Sequence, residues 1–269
     1  MPDRLRVAVA GAAGRMGRAA VRAIAREPDL ILVAALGRAT GVGRDAGEVA
    51  GTGTLNVPIT ANLEGALASG VDVLVDFSPG PGAVDHARAA IPSGVSPVIG
   101  GTGLTTMQIN DLGSLCEARG VGAVIAPNFA IGAVLMMEFA RQAAPYFPQA
   151  EIIELHHDRK RDAPSGTAMK TASLIAGSRG PAPEARAGEE EMVQGARGGR
   201  VEGIPVHSVR LPGLVAHQVV IFGGAGQTLT IRHDSVTEDS FMPGLLLAVR
   251  RVRALPGLAY GLEKLLELA

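Results

Sequence analysis

Hydrophobic positions in the first half of the chain fall into short, nearly continuous runs at residues 6–10, 30–36, 71–77, 95–99 and 121–126. Each has strand length, several are rich in β-branched residues, and turn residues flank them, which predicts strands buried on both faces. Between the runs, apolar residues recur at helical spacing and predict helices over 18–26, 61–68, 82–91 and 106–119. Regular alternation of strand and helix predicts a parallel, doubly wound sheet through residue 127.

The rhythm changes after Asn128. Longer helices are expected over 131–144 and 168–176, and strands over 152–156, 203–211, 217–222 and 228–233. Gly223-Gly224-Ala225-Gly226 marks a hairpin turn between the last two strands. Residues 177–203, rich in Gly, Ala, Arg and Glu without periodicity, predict a long surface loop. A final apolar helix is expected over 241–252. The fold class is therefore α/β, with an N-terminal Rossmann-like doubly wound parallel sheet and a smaller α+β domain. The boundaries fall at 1–127 with 241–269 for the first domain and at 128–240 for the second.

Composition narrows the partners. Lys and Arg total 25 against 26 Asp and Glu, a formal net charge of -1, so no overall basic field favours nucleic acid or an anionic membrane. No apolar stretch approaches the ~18 residues of a membrane span, and the opening MPDRLRVAVAGAAG does not read as a signal peptide. Cys116 is the single cysteine, so no disulfide forms within the chain. A cytoplasmic protein is expected.

Candidate chemistry begins at the first strand–helix turn, Gly11-Ala12-Ala13-Gly14-Arg15-Met16-Gly17. Glycine permits close approach of a pyrophosphate there, and a helix N-terminus offers free N–H groups and positive dipole. The spacing is G-x-x-G-x-x-G, and a tight connection without ligand is the alternative. An acidic residue for the adenosine ribose is expected about 20 residues on, but the second strand ends Leu36-Gly37-Arg38. Arg38 suits a 2′-phosphate instead, tilting the cofactor toward NADPH with NADH still usable; an ordinary exposed cation is the plain alternative. Further cofactor contacts are expected at the strand ends, from Phe77 of Asp76-Phe77-Ser78, from Gly100, Gly101 and Thr102, and from Ala126, Pro127, Asn128 and Phe129. Each of these also suits plain turn chemistry.

The stretch Glu154–Thr167, ELHHDRKRDAPSGT, concentrates the rest. A strand delivers His156 and His157 into a loop carrying Arg159, Lys160 and Arg161, and Ser165-Gly166-Thr167 then opens a helix. A helix start with hydroxyls beside a cationic loop suits a small anion. Two histidines without a third ligand argue against a metal, and no metal is expected.

The whole chain resembles the dihydrodipicolinate reductase family, the lysine and diaminopimelate biosynthesis enzymes also called 4-hydroxy-tetrahydrodipicolinate reductases. The resemblance rests on VAGAAGRMG, on DFS at 76–78, on GGTG at 100–103, on APNF at 126–129 and on E-L-H-H-x-x-K-x-D-x-P-S-G-T from Glu154. It implies a nicotinamide-dependent reduction of a small dicarboxylate. His156 would be the proton donor and acceptor, Lys160 a proton donor, and His157, Gly166 and Thr167 would hold substrate carboxylates, with Ser165 assigned to substrate binding alongside them. It also implies a homotetramer assembled through the second domain. Gly37 stands where members often carry an acidic residue, and Gly101 where they commonly carry threonine. Two other readings are a different two-domain dehydrogenase of aspartate-family metabolites and a non-catalytic NADP(H)-sensing regulator. A thiol-dependent dehydrogenase is disfavoured, since Cys116 lies inside a predicted helix.

Overall fold

A computed structural model describes residues 4–101, 103–180 and 190–266. The chain divides into two compact units, Met1–Phe129 with Glu238–Ala269, and Ala130–Thr237. Both divisions lie two or three residues from the expected boundaries.

In the first unit the elements run β1 (Leu5–Ala10), α1 (Arg15–Arg26), β2 (Leu30–Leu36), α2 (Ala46–Ala50), β3 (Ile59–Thr60), α3 (Leu63–Leu67), β4 (Val73–Asp76), α4 (Gly80–Ala90), β5 (Ser96–Ile99), α5 (Thr106–Arg119) and β6 (Ala123–Ile125). The second unit contributes α6 (Ile131–Ala143), β7 (Gln149–His156), α7 (Gly166–Ser178), β8 (Gly199–Val201), β9 (Ile204–Arg210), β10 (Ala216–Gly224) and β11 (Gln227–Ser235). The chain then returns to the first unit as α8 (Met242–Arg251) and β12 (Leu258–Tyr260).

The first sheet has seven strands in the order β12-β6-β5-β4-β1-β2-β3, each adjacent pair parallel. The chain winds one way from β1 through β3 and the other way from β4, so a topological switch point lies between β1 and β4. Val7–Ala10 and Val73–Asp76 are fully buried, as strands covered by helices on both faces must be. One side packs Ala8, Ala10, Leu36 and Leu74 against Ala66 and Leu67 of α3 and Ala90 of α4. Another core cluster packs Ile99, Ala123 and Ile125 against Ala83 and Ala87 of α4 and Leu112 and Cys116 of α5. Cys116 is thus a core side chain whose thiol pKa burial pushes up to about 11, leaving it a poor nucleophile.

The second sheet is mixed, ordered β11-β10-β7-β9-β8, with only β7 and β9 parallel. Ile152 and Glu154 of β7 are buried beneath the helices, while Ile153 and Leu155, alternating with them, stay partly exposed on the other face. No described helix is long and apolar enough to cross a membrane.

Four expectations are corrected. Helix α1 begins at Arg15, three residues earlier than its apolar pattern suggested, because Gly14 acts as N-cap and the last three positions of the glycine motif are already helical. The stretch 177–203 is not all loop: α7 runs to Ser178 and β8 forms at Gly199–Val201, while its residues 181–189 lie outside the described set. The C-terminal tail supplies β12, pairing Leu258–Tyr260 with Ala123–Ile125. Finally α2 and β3 fill the stretch after β2; α2 is capped by Asp45, which accepts from the Gly47 and Glu48 N–H groups.

Candidate active site

At the switch point, the turn from β1 to α1 is shaped by contacts only glycine tolerates. Gly11 has φ +73, in the left-handed region, and its carbonyl accepts from the Gly14 N–H at 2.9 Å. A Cβ on Gly17 would lie 2.1 Å from the Gly11 oxygen and 2.9 Å from the Ala12 Cα, so the helix could not approach the turn this closely with any other residue. No side chain caps α1 and its first turn carries no acid. Its first N–H groups therefore lack intrahelical partners, and its dipole is uncompensated. The cradle of glycines and open amides fits a pyrophosphate. Gly11, Ala12, Ala13, Gly14, Arg15 and Met16 all belong to it; Arg15 also reaches Glu238 at 3.3 Å in an exposed pair.

Arg38, exposed just past β2, lays its guanidinium over α4, with Nη2 2.9 Å from where a Gly82 Cβ would stand. It makes no ion pair among the described residues. At Gly37, a Cβ would press on Ile59 at 3.0 Å, so glycine lets β3 pack where a larger side chain would crowd it.

The strand ends converge beside this turn. Phe77 after β4 and Phe129 after β6 meet edge to face with centroids 6.1 Å apart. Gly100 after β5 lies against both rings, its missing Cβ 2.3 Å from Phe77 and 2.9 Å from Phe129. Gly101 faces the Ser78 carbonyl, 2.5 Å from a notional Cβ, so the loop in this conformation excludes a threonine there. Asp76, buried at the end of β4, accepts from the Ser78 N–H at 2.7 Å and holds His86 Nδ1 at 2.7 Å. Ala126 is buried, Pro127 exposed and Asn128 intermediate along the same strand end. Thr102 lies outside the described residues.

In the second unit, β7 and α7 present the histidine stretch. His156 ends β7 on the same face as Glu154, two residues earlier, as strand periodicity requires. Its Nδ1 meets Glu154 Oε2 at 2.5 Å. Lys160 turns back on Asp162, with Nζ donating to both carboxylate oxygens at 2.8 Å. The Ala163–Pro164 peptide is cis. Ser165, nearly fully buried, caps α7 by accepting from the Ala168 N–H at 3.2 Å, and Gly166 and Thr167 form the first turn, which carries no acidic residue. The His157 Nδ1 is buried without a hydrogen-bond partner among the described residues. Those residues contain no group of three or more His, Cys, Asp or Glu able to hold a metal ion.

Glu154 and Asp162 stand in the quoted motif without an assigned role, and Arg210, Gln218 and Thr171 were missed. Glu154 is fully buried and takes Arg210 bidentately, at 2.7 and 2.9 Å, together with the Ser165 N–H at 3.2 Å. Burial alone would raise its pKa, but hydrogen bonds from His156, Arg210 and Ser208 outweigh it and bring it down to about 2. Arg210 also donates to the Asp162 carbonyl at 2.7 Å, tying β9 to the histidine loop. Gln218 donates to Thr171 Oγ1 at 2.8 Å, which donates to the Thr167 carbonyl at 2.8 Å, bracing the start of α7. Only Glu154 left a local sign, a carboxylate two residues before a histidine on one strand.

A doubly wound sheet with a glycine cradle at its switch point, in a chain whose second unit carries a histidine–lysine loop, places the protein among the two-domain, nicotinamide-dependent oxidoreductases. Two family profiles, described as dihydrodipicolinate reductase N-terminus and C-terminus, match residues 5–129 and 132–266. The chain belongs to the dihydrodipicolinate reductase family. It is 54% identical to the 4-hydroxy-tetrahydrodipicolinate reductase of Moorella thermoacetica over 264 residues, covering 98% of each chain. It is 50% identical to that of Listeria monocytogenes, covering 98% of this chain and 100% of the relative. The dipicolinate-bound dihydrodipicolinate reductase of Paenisporosarcina sp. TG-14 superposes with a TM-score of 0.87 at 44% identity, covering 98% of this chain and 100% of that one. GenD2 from gentamicin A biosynthesis, solved in complex with NAD, shares the fold with a TM-score of 0.64 at 16% identity, covering 98% of this chain and 91% of that one.

Proposed function

We propose that this chain reduces 4-hydroxy-tetrahydrodipicolinate to tetrahydrodipicolinate with NADPH or NADH, in lysine and diaminopimelate biosynthesis. The observation that carries the reading is the ring of His156, held at Nδ1 by a buried carboxylate in the same stretch that presents Lys160 and the open start of α7. Such a ring has Nε2 left for proton exchange with substrate. Lys160 is a second proton donor and stabilises negative charge developing on the substrate. His157, with its unpartnered Nδ1, and the first turn of α7 at Gly166 and Thr167 take the two carboxylates. Ser165 shapes that turn, since its hydroxyl oxygen is engaged with the Ala168 N–H.

On the first unit, Gly11–Met16 would hold the cofactor pyrophosphate and Arg38 the 2′-phosphate that distinguishes NADPH. Phe77, Gly100, Gly101, Thr102 and Ala126–Phe129 would flank the nicotinamide end. When bound, the reduced nicotinamide supplies the hydride. We further assign a cytoplasmic location and a homotetramer assembled on the open face of the mixed sheet. Ile153, Leu155, Val209, Val219 and Ile221 stand there as a partly exposed apolar group.

Replacing His156 or Lys160 by alanine is expected to slow turnover ~10²–10⁴-fold while leaving cofactor binding intact. Steady-state rates with titration of reduced-cofactor fluorescence check this, and undiminished turnover in both variants rejects the assignment.

A further inference from the structure

Among the described residues of the second unit, the carboxylate of Glu154 receives more donors than any other. Oε2 accepts from His156 Nδ1 at 2.5 Å and Arg210 Nη1 at 2.9 Å, and Oε1 from Arg210 Nη2 at 2.7 Å and the Ser165 N–H at 3.2 Å. An ionised carboxylate only accepts, so the nitrogen of His156 that faces it carries the proton. Glu154 and His156 share one face of β7, and the β7–β9 register sets Arg210 directly beside His156 and Ser208 beside Glu154. Glu154 therefore joins three elements: the end of β7, the end of β9 and the N-cap of α7.

We propose that Glu154 is a positioning residue for this reaction: shared between His156 and Arg210, it fixes which nitrogen of His156 meets the substrate and supplies the negative charge beside that ring. The proposal rests on His156 being the proton-transferring group. Its electrostatics follow from two neighbours of opposite sign. Glu154 places a negative charge beside the ring, and Arg210, its side chain 18% exposed, offsets it. The other charged or titratable groups around the ring lie elsewhere. Lys160 and Asp162 are closed on each other, and His157, Asp158, Arg159 and Arg161 share their loop. Lys170 is the one charged residue of α7. On β10 the neighbour of His156 is Ala216, and His233 of β11 lies beyond Gln218. Replacing Glu154 or Arg210 leaves the charges of all of these in place, although Arg210→Met also removes the donor to the Asp162 carbonyl.

Opposite shifts are therefore expected. Glu154→Gln leaves Arg210 facing the ring without the carboxylate, and Arg210→Met leaves the carboxylate unshared, so relative to wild type the ring titration should move down in the first variant and up in the second. The ring titration of His156 is read by proton NMR on the full-length protein, its signal identified by its loss in His156→Asn. The basic limb of the kcat profile is read alongside and should move in the same directions. A structural role alone would lower stability without moving the titration in opposite senses. Titrations unmoved in both variants, or moved the same way, overturn the proposal. Should Glu154→Gln fail to fold, the upward shift in Arg210→Met decides, and its absence overturns the proposal as well. Undiminished turnover in His156→Ala would instead reject the role of His156 itself, an outcome separate from the titration shifts.

Discussion

Glu154 is held ionised by its donors, and the sign of the resulting pH dependence can be worked out. Its pKa is about 2 in the folded chain and about 4.3 when unfolded, so the unfolded state binds the proton more readily. The stability it contributes is complete above about pH 4.3 and is lost as pH falls toward 2. The other depressed carboxylates, such as Asp45 and Asp234, are common to wild type and variant and cancel in a comparison. The gap in thermal midpoint between wild type and Glu154→Gln should thus narrow as pH is lowered from 5 toward 2, which circular dichroism melts would follow; a gap constant with pH contradicts it. His156, Lys160 and the Ser165–Thr167 turn were legible as one site because they are neighbours in sequence. Arg210 was not, because it meets Glu154 across 56 residues through a strand register that no local pattern encodes.

At the scale of elements, close approach is the governing quantity at the cofactor turn. Alanine at Gly17 would place a methyl 2.1 Å from a backbone oxygen, and no flexible side chain can yield there. Gly17→Ala is expected to lower stability by ~1–3 kcal/mol, the usual cost of overpacking, and to weaken cofactor binding. Fluorescence titration and thermal unfolding check both, and an unchanged dissociation constant would show that the turn does not hold the cofactor. The sequence marked long elements well. Helix α5 was legible to the residue because the Thr105–Gln108 capping box opens it and Gly120, in the left-handed region, closes it. The short elements α2, β3 and β12 were missed because they show neither a helical period nor an unbroken apolar run. Helix α1 was misplaced at its start because glycines hide helical geometry from a hydrophobic pattern.

Over the whole molecule, alternation of strand and helix was enough to read the parallel sheet, because each βα unit is local in sequence. The order of the mixed sheet was not legible, since β7 pairs with β9 and β10 across long connections. Its open face supports the assembly reading. Val219 is partly exposed there, opposite Ile153, and a charge buried in an interface without a partner is costly. Val219→Glu is expected to shift the protein from tetramer to smaller species in sedimentation, and an unchanged mass would place the interface elsewhere.

The most direct test of the central claim adds freshly generated 4-hydroxy-tetrahydrodipicolinate to the purified protein with NADPH or NADH and follows the nicotinamide absorbance. The account predicts substrate-dependent oxidation of the cofactor that is lost in His156→Ala; clear cofactor binding with no oxidation on adding substrate would contradict it.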